Sequence, residues 1–143
     1  MEVAELRRQI VREIERARGE VAQRRKNADS AQEAYAKFIV EVAGPVVLQA
    51  VNILRSEGVQ LQAETPAGIA RIGSDKSADD FVEFVLDTSV RPPRVLGRSS
   101  VAISRHNVVV DEQPIAPGTA IAEIQETDLL AFLVPAIGRL VAR

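Results

Sequence analysis

Apolar residues recur along the first third of the chain in steps of three and four: Val3, Leu6, Ile10, Ile14, Ala17, Val21, Ala28, Ala31, Tyr35, Phe38 and Val42. One step of seven spans Arg24 and Arg25. This is the spacing of an α-helix with one apolar side. The residues between are largely Glu and Arg, and pairs such as Glu5–Arg8, Glu13–Arg16 and Glu20–Arg24 stand three or four apart. Each such pair adds a few tenths of a kcal/mol to a helix. Gly19 subtracts roughly 1 kcal/mol. Ser30 followed by Glu33 has the pattern of a capping box, which could open a second helix. The stripe keeps its phase through that point, which favours one rod. A helix of about 40 residues is roughly 60 Å long, more than a small domain is wide. The stripe therefore exceeds what the rest of the chain can cover, and a partner is implied.

Ala31 to Ser56 continues helical, interrupted by Gly44-Pro45, where the chain is expected to change direction. Val46 to Leu54 is apolar on most sides and belongs in a core. After Gly58 the period falls to two. Val59, Leu61 and Ala63 alternate with Gln60, Gln62 and Glu64, the segment 65–68 forms a turn, and Ile69 to Ile72 returns as a strand. Residues 73–80 form a polar loop. Phe81 to Thr88 reads as a central strand with Val82, Phe84 and Leu86 inward and Glu83 and Asp87 on a solvated face. Arg91-Pro-Pro-Arg94 is a connector. Val95–Ser104 and Val108–Val110 make a hairpin turned at Arg105-His106-Asn107, followed by a loop over 111–118 and a short strand over Ala120–Ile124. Thr127-Asp128 caps a last helix bearing Leu129, Leu130, Phe132, Leu133, Ile137, Leu140 and Val141, with Arg139 and Arg143 suited to its dipole. Pro135 is expected to kink it. The predicted fold is α+β: a long N-terminal helix, then an antiparallel β-meander with helices packed on one face. The predicted division is a coiled-coil helix over 1–42 and a small α+β domain over 43–143.

Composition narrows the class. An apolar share of 46% and a charged share of 27% over 143 residues fit a soluble globular chain. Aromatics are only 3%, so the core is aliphatic and no stacking platform for bases exists. A net charge of −2 is not that of a nucleic-acid binder. Cysteine is absent, which excludes disulfides and thiol chemistry and suits a cytoplasmic protein. No apolar run approaches the ~20 residues of a membrane span, and the charged N-terminus is unlike a secretory signal. The excess of Arg over Lys, with abundant Ala and Val, points to a GC-rich bacterial genome.

Candidate chemistry is sparse. His106, the only histidine, sits at a hairpin tip with Ser104 and Asp111 nearby in sequence, too close along one turn for a triad. Asp75, Asp79 and Asp80 lack the ligand spacing of a calcium loop and read as a solvated loop. Asp111-Glu112 has no second cluster of ligands. Arg24-Arg25-Lys26 closes a basic run, but interleaved carboxylates cancel most of its field. Arg24 lies in the apolar stripe itself, where a polar residue of a coiled coil sets register or oligomer state. These readings exclude no binding surface, but they nominate no catalytic residue, no cofactor and no metal. The expected function is non-enzymatic: an oligomerisation or protein-interaction module, a homodimer through Val3, Leu6, Ile10, Ile14, Ala17, Val21, Ala28 and Ala31. The alternatives are a small acidic chaperone or adaptor for a protein client, nucleic-acid binding through the Arg-rich helix, and an enzyme using His106.

Overall fold

The computed structural model describes residues 2–66 and 68–142, so Ala67 of the expected turn and Arg143 of the expected helix end lie outside the described residues. The apolar stripe forms one rod. Helix α1 spans Val3–Phe38, passes through a π turn at Ile39–Ala43 and continues as α2, Gly44–Ser56. The 54 residues from Val3 to Ser56 are helical throughout, a length of about 80 Å at 1.5 Å per residue. No break occurs at Asn27–Ser30.

Gly44-Pro45 does not end the helix, contrary to the expected turn there. Proline has no N–H, and its ring collides with the carbonyl four residues back. The widened π turn accommodates this: the Gly44 N–H donates to the Ile39 carbonyl, five residues back. A Cβ on Gly44 would lie 2.7 Å from that oxygen, so the wide turn depends on glycine. α2 stops where Gly58 takes φ +84°. There the Gly58 N–H donates to the Arg55 carbonyl and the Val59 N–H to that of Leu54, a Schellman ending.

Five antiparallel strands follow in meander order: β1 Gln62–Glu64, β2 Ala70–Gly73, β3 Phe81–Asp87, β4 Arg94–Ser104 and β5 Asn107–Pro114. A 3₁₀ turn at Ile121–Glu123 and helix α3, Glu126–Val141, complete the chain. Two sequence expectations are corrected here. β5 runs on to Pro114 because Asp111, Glu112 and Gln113 pair with Ser99, Arg98 and Gly97. Within residues 120–124 the chain forms a 3₁₀ turn at Ile121–Glu123 and no strand. Ile121 in the turn and Ile124 just after it are buried three residues apart, which suits a helical turn packed on one side. α3 is capped by Gln125, whose side chain and that of Asp128 form a reciprocal capping box.

One face of the sheet carries Ala70, Ile72, Val82, Phe84 and Val95, all buried under the helices. Val46, Val47 and Val51 of α2 and Leu129, Phe132, Leu133 and Ala136 of α3 complete this core. The Phe132 ring packs directly on Gly97: a Cβ there would sit 2.5 Å from the ring. The same ring meets Phe84 edge-on at 6.1 Å. Tyr35 anchors α1. Its hydroxyl donates to the Gly68 carbonyl and lies 3.3 Å from that of Phe84. Tyr35 and Phe38 are core residues, and Ala31 and Ala34 pack beside them. The division expected at 42/43 therefore falls inside the body, which α1 enters at Ala31. Every described residue from Glu2 to Ser30 is exposed.

Two outcomes follow from this packing. Gly97→Val should lower unfolding stability by about 2–3 kcal/mol through overpacking. Pairing it with Phe132→Leu should recover part of the loss in denaturant titration. Burial, then the nearby Glu83 carboxylate, raises the Tyr35 hydroxyl from 10.0 to about 12. The neutral phenol is thus favoured in the folded state, so its stabilising contribution is complete below pH 10 and is lost as pH rises toward 12. Tyr35 is the only tyrosine and tryptophan is absent, so phenolate absorbance should report a midpoint near 12 in native protein and near 10 in denaturant.

Candidate interaction surface

The stripe on α1 has the spacing of a coiled-coil seam. Val3, Leu6 and Ile10 occupy positions a, d and a of one heptad frame. A single extra step of four shifts the frame, after which Ile10, Ile14, Ala17, Val21, Arg24 and Ala28 read d, a, d, a, d, a. Val3, Leu6, Ile10, Ile14 and Val21 are between 42% and 82% exposed, and Val11 beside them is 43% exposed. Ala17 and Ala28 are exposed as well. Ala31 differs from the other seven expected interface residues: it packs against its own chain's core. The stripe that is bare from Val3 to Ala28 is thus continuous with the one that seats Tyr35 and Phe38.

Charged side chains cover the other sides of this projecting segment. Glu5 holds Arg8 at 3.2 Å, and Arg16 stands between Glu13 and Glu20, 2.5 Å from the latter. The hydrogen bond and charge of Arg16 hold the Glu13 carboxyl below its usual range. Glu20 therefore pairs with Arg16, not with Arg24. Arg24 turns back along its own helix, its Nε 3.4 Å from the Glu20 carbonyl oxygen. Below it, Arg24, Asn27 and Ala28 line a cleft of about 680 Å³ whose far wall is Thr88 and Val90–Pro93, the connector between β3 and β4.

The sheet face away from the helices carries a different feature. Glu64, Arg71, Glu83, Arg98 and Glu112 lie directly opposite one another across all five strands. Charge alternates along this row. Arg71 reaches Glu83 at 2.6 Å and Glu64 at 4.0 Å, while Arg98 reaches Glu83 at 3.3 Å and Glu112 at 2.8 Å. Arg71 also lies over the Phe81 ring at 4.6 Å. Glu83 was expected on a solvated face, yet it is 2% exposed. The two guanidinium groups bracket its carboxylate and shield it from water. Strand alternation alone misses this. The signal is that each strand contributes one charged residue to a row of alternating sign, and which residue it is becomes visible only once the register is known.

The remaining chemical candidates disperse. Asp75 and Asp79 are exposed, but Asp80 is 3% exposed and its carboxylate accepts the Ala102 N–H at 2.8 Å, where β4 departs from regular pairing with β5. Asp111 and Glu112 face opposite ways. Asp111 lies 3.5 Å from Arg139 of α3, and Glu112 joins the charge row. His106 is exposed at the β4–β5 turn. Arg94 pairs with Asp87 at 3.1 Å, fastening the Arg91–Arg94 connector to the sheet. Ser89 and then Arg94 hold the Asp87 carboxyl below its usual range. Among the described residues no group of three or more acidic or histidine side chains could hold a metal.

Other apolar side chains are exposed: Val40, Leu48 and Ile53 on the outer side of the rod, Leu130, Val134 and Val141 on α3, and Ile103 and Val108–Val110 on the hairpin. The rod includes an 18-residue window of mean hydropathy 1.5, long and apolar enough to cross a membrane by length and composition alone. This corrects the expectation that no run approaches such a length. That window is 28% buried, its share in the core being Phe38, Ala43, Val46, Val47 and Val51.

The charge row gives a stability test. Glu83→Ala leaves two guanidinium groups without their shared carboxylate and should cost about 3 kcal/mol. Replacing Arg71, Glu83 and Arg98 together by Met, Leu and Met should cost less than the single change, as read from chemical denaturation midpoints.

Comparison with protein-family models, with characterised proteins and with solved structures finds no match to this chain.

Proposed function

We propose that this chain is a non-enzymatic oligomerisation module whose α1 pairs with α1 of a second copy. The observation that carries the reading is the exposed seam from Val3 to Val21, standing clear of the body on a helix that the body anchors at Tyr35 and Phe38. Helix pairing offers this seam a complementary surface of its own length. Full burial of an aliphatic side chain contributes roughly 1.5–3 kcal/mol, so a half-exposed one gains about 1 kcal/mol. Val3, Leu6, Ile10, Ile14 and Val21 from both copies then contribute on the order of 10 kcal/mol gross. Association costs about 4–15 kcal/mol. The two are comparable, so the dimer is expected to be concentration-dependent. Ala17 and Ala28 permit close approach but add little burial.

A second reading, an adaptor for a protein client, draws support from the β4–β5 hairpin. The β3–β4 pairing ends at Phe81 and Ser100. From that point outward, starting with Val110 opposite Ser100, the hairpin exposes Val110, Val109, Val108 and Ile103. β5 is the last strand of the sheet, and its outer edge can receive an extended segment. Nucleic-acid binding draws less support, because carboxylates interleave with the basic residues along α1 and those of Glu5, Glu13 and Glu20 engage Arg8 and Arg16.

Sedimentation velocity tests the first reading. Native protein should sediment as a dimer at tens of micromolar and dissociate on dilution. Ile10→Asp combined with Ile14→Asp should give a monomer with an unchanged unfolding transition of the body, since both residues lie outside it. A native chain that stays monomeric at tens of micromolar with α1 fully helical would overturn the proposal.

A further inference from the structure

This inference rests on the helix pairing proposed above and concerns how the second copy is placed. We infer that the partner helix lies parallel to the first and in the same register over residues 2–21, so that both bodies stand side by side at the same end. The argument comes from the positions flanking the seam. With the two frames given above, Glu2, Glu13 and Glu20 fall at position g, and Arg7, Arg18 and Arg25 fall at position e. Each acid precedes its base by five residues. In a parallel in-register pair, position g of one helix faces position e of the other five residues further on. Glu2 then meets the partner's Arg7, Glu13 the partner's Arg18, and Glu20 the partner's Arg25, each twice by symmetry. In an antiparallel pair g faces g and e faces e, so acid meets acid and base meets base. The same charges that favour one orientation thus oppose the other.

The ion pairs within the chain agree with this placement. Arg8 and Arg16, at outer positions f and c, are held by carboxylates of their own helix. Among the described residues, Arg7, Arg18 and Arg25 take part in no ion pair within the chain. Arg12, on the outer side, and Arg24, in the seam, are likewise outside any ion pair; of the unpaired guanidinium groups, those of Arg7, Arg18 and Arg25 are the ones that flank the seam.

The lower limit of the pairing is set by the body. Arg24 occupies a seam position, where two copies would bring like charges together, and it turns back toward Glu20. Alongside Arg24 and Ala28 the connector Val90–Pro93 closes one side of the cleft, and Ala31 already packs on its own core. A partner helix following the seam down from residue 2 meets repulsion at Arg24 and then this connector. The two helices separate below the Glu20–Arg25 contacts, each into its own body.

Cysteine coupling tests the placement, and the native chain contains no cysteine to interfere. Leu6→Cys and Ala17→Cys are prepared singly and oxidised mildly at concentrations where the native chain is dimeric by sedimentation. Each should convert to a disulfide-linked dimer on its own. When the two are mixed, the 6–17 product should stay a minor species. Charge gives the second arm. Glu13→Lys with Glu20→Lys places Lys against the partner's Arg18 and Arg25 and should weaken the dimer about tenfold or more at low salt, less at high salt. In an antiparallel pair the same change exchanges one like-charge contact for another and leaves affinity nearly unchanged. A native dimer in which neither cysteine couples to itself, or in which 6–17 coupling dominates, overturns the parallel placement and leaves the pairing intact. A native chain that never dimerises removes both.

Discussion

The structure depends on the phase of one helix. α1 and α2 share an unbroken helical path from Val3 to Ser56, so the direction of every side chain on the projecting segment is set by the residues that anchor the other end. Tyr35 and Phe38 are fixed in the core by packing and by the Tyr35 hydroxyl on the Gly68 carbonyl. Once they point into the body, residues three and four steps back along the same stripe must point along the body's side of the rod. Seam and core are one surface, covered at one end and bare at the other. The π turn at Ile39–Ala43 adjusts the path below this anchor, where Pro45 would otherwise break it, and leaves the phase above it untouched.

The body solves a separate problem with the same few residue types. It has one helical layer, so one face of the sheet receives an aliphatic core and the other has no layer above it. The charge row is how that second face is closed. Arg71 and Arg98 lay long apolar stems across the central strands and place their guanidinium groups on Glu83, which is thereby withdrawn from water. Phe81 beneath Arg71 extends the cover. A row of this kind specifies register, because a slip of one residue in any strand would turn its charge toward the aliphatic side. On the helical side Gly97 and Phe132 set the approach of α3 in the same strict way, ring against backbone.

The parts legible in the sequence were those carried by short-range periodicity. Steps of three and four gave α1, alternation gave the strands, and their order gave an α+β meander with helices on one face. The parts that were not legible depend on partners distant in sequence. Glu83 reads as solvated because its strand alternates correctly. Its burial requires Arg71 and Arg98 to arrive from two other strands. Asp80 reads as one more acid in a polar loop, and only the irregular pairing near Ala102 gives its carboxylate a backbone donor. Gly44-Pro45 reads as a break because the ordinary helix cannot hold it, whereas a wider turn can. Ala31 reads as seam because small apolar residues on a stripe look alike whether a second copy or the chain's own core lies against them. The 3₁₀ turn at Ile121–Glu123 is too short for its period to show: Ala120, Ile121, Ala122 and Ile124 are apolar at successive positions, and only the burial of Ile121 and Ile124 reveals the spacing of three.

The proposed pairing gains its definition from what the chain denies to it. A seam made only of aliphatic residues would accept a partner in either orientation and in several registers, because burial has no direction. Direction has to come from charge, and here the charges fall into two sets. On the outer side of α1, Arg8 and Arg16 are held within the helix, Arg16 between Glu13 and Glu20 being the clearest case. Those at the e positions are left with an unspent charge beside the exposed seam. Glu13 and Glu20 belong to both sets. They can keep Arg16 and still offer their remaining oxygens to a base across the seam, since a carboxylate accepts more than one donor. Monomer and pair thus share the same intrahelical contacts, and pairing need not break one ion pair to form another. The cost that remains is the ordering of exposed arginine side chains, which explains why aliphatic burial and flanking charge are both required and why neither alone would give one defined assembly.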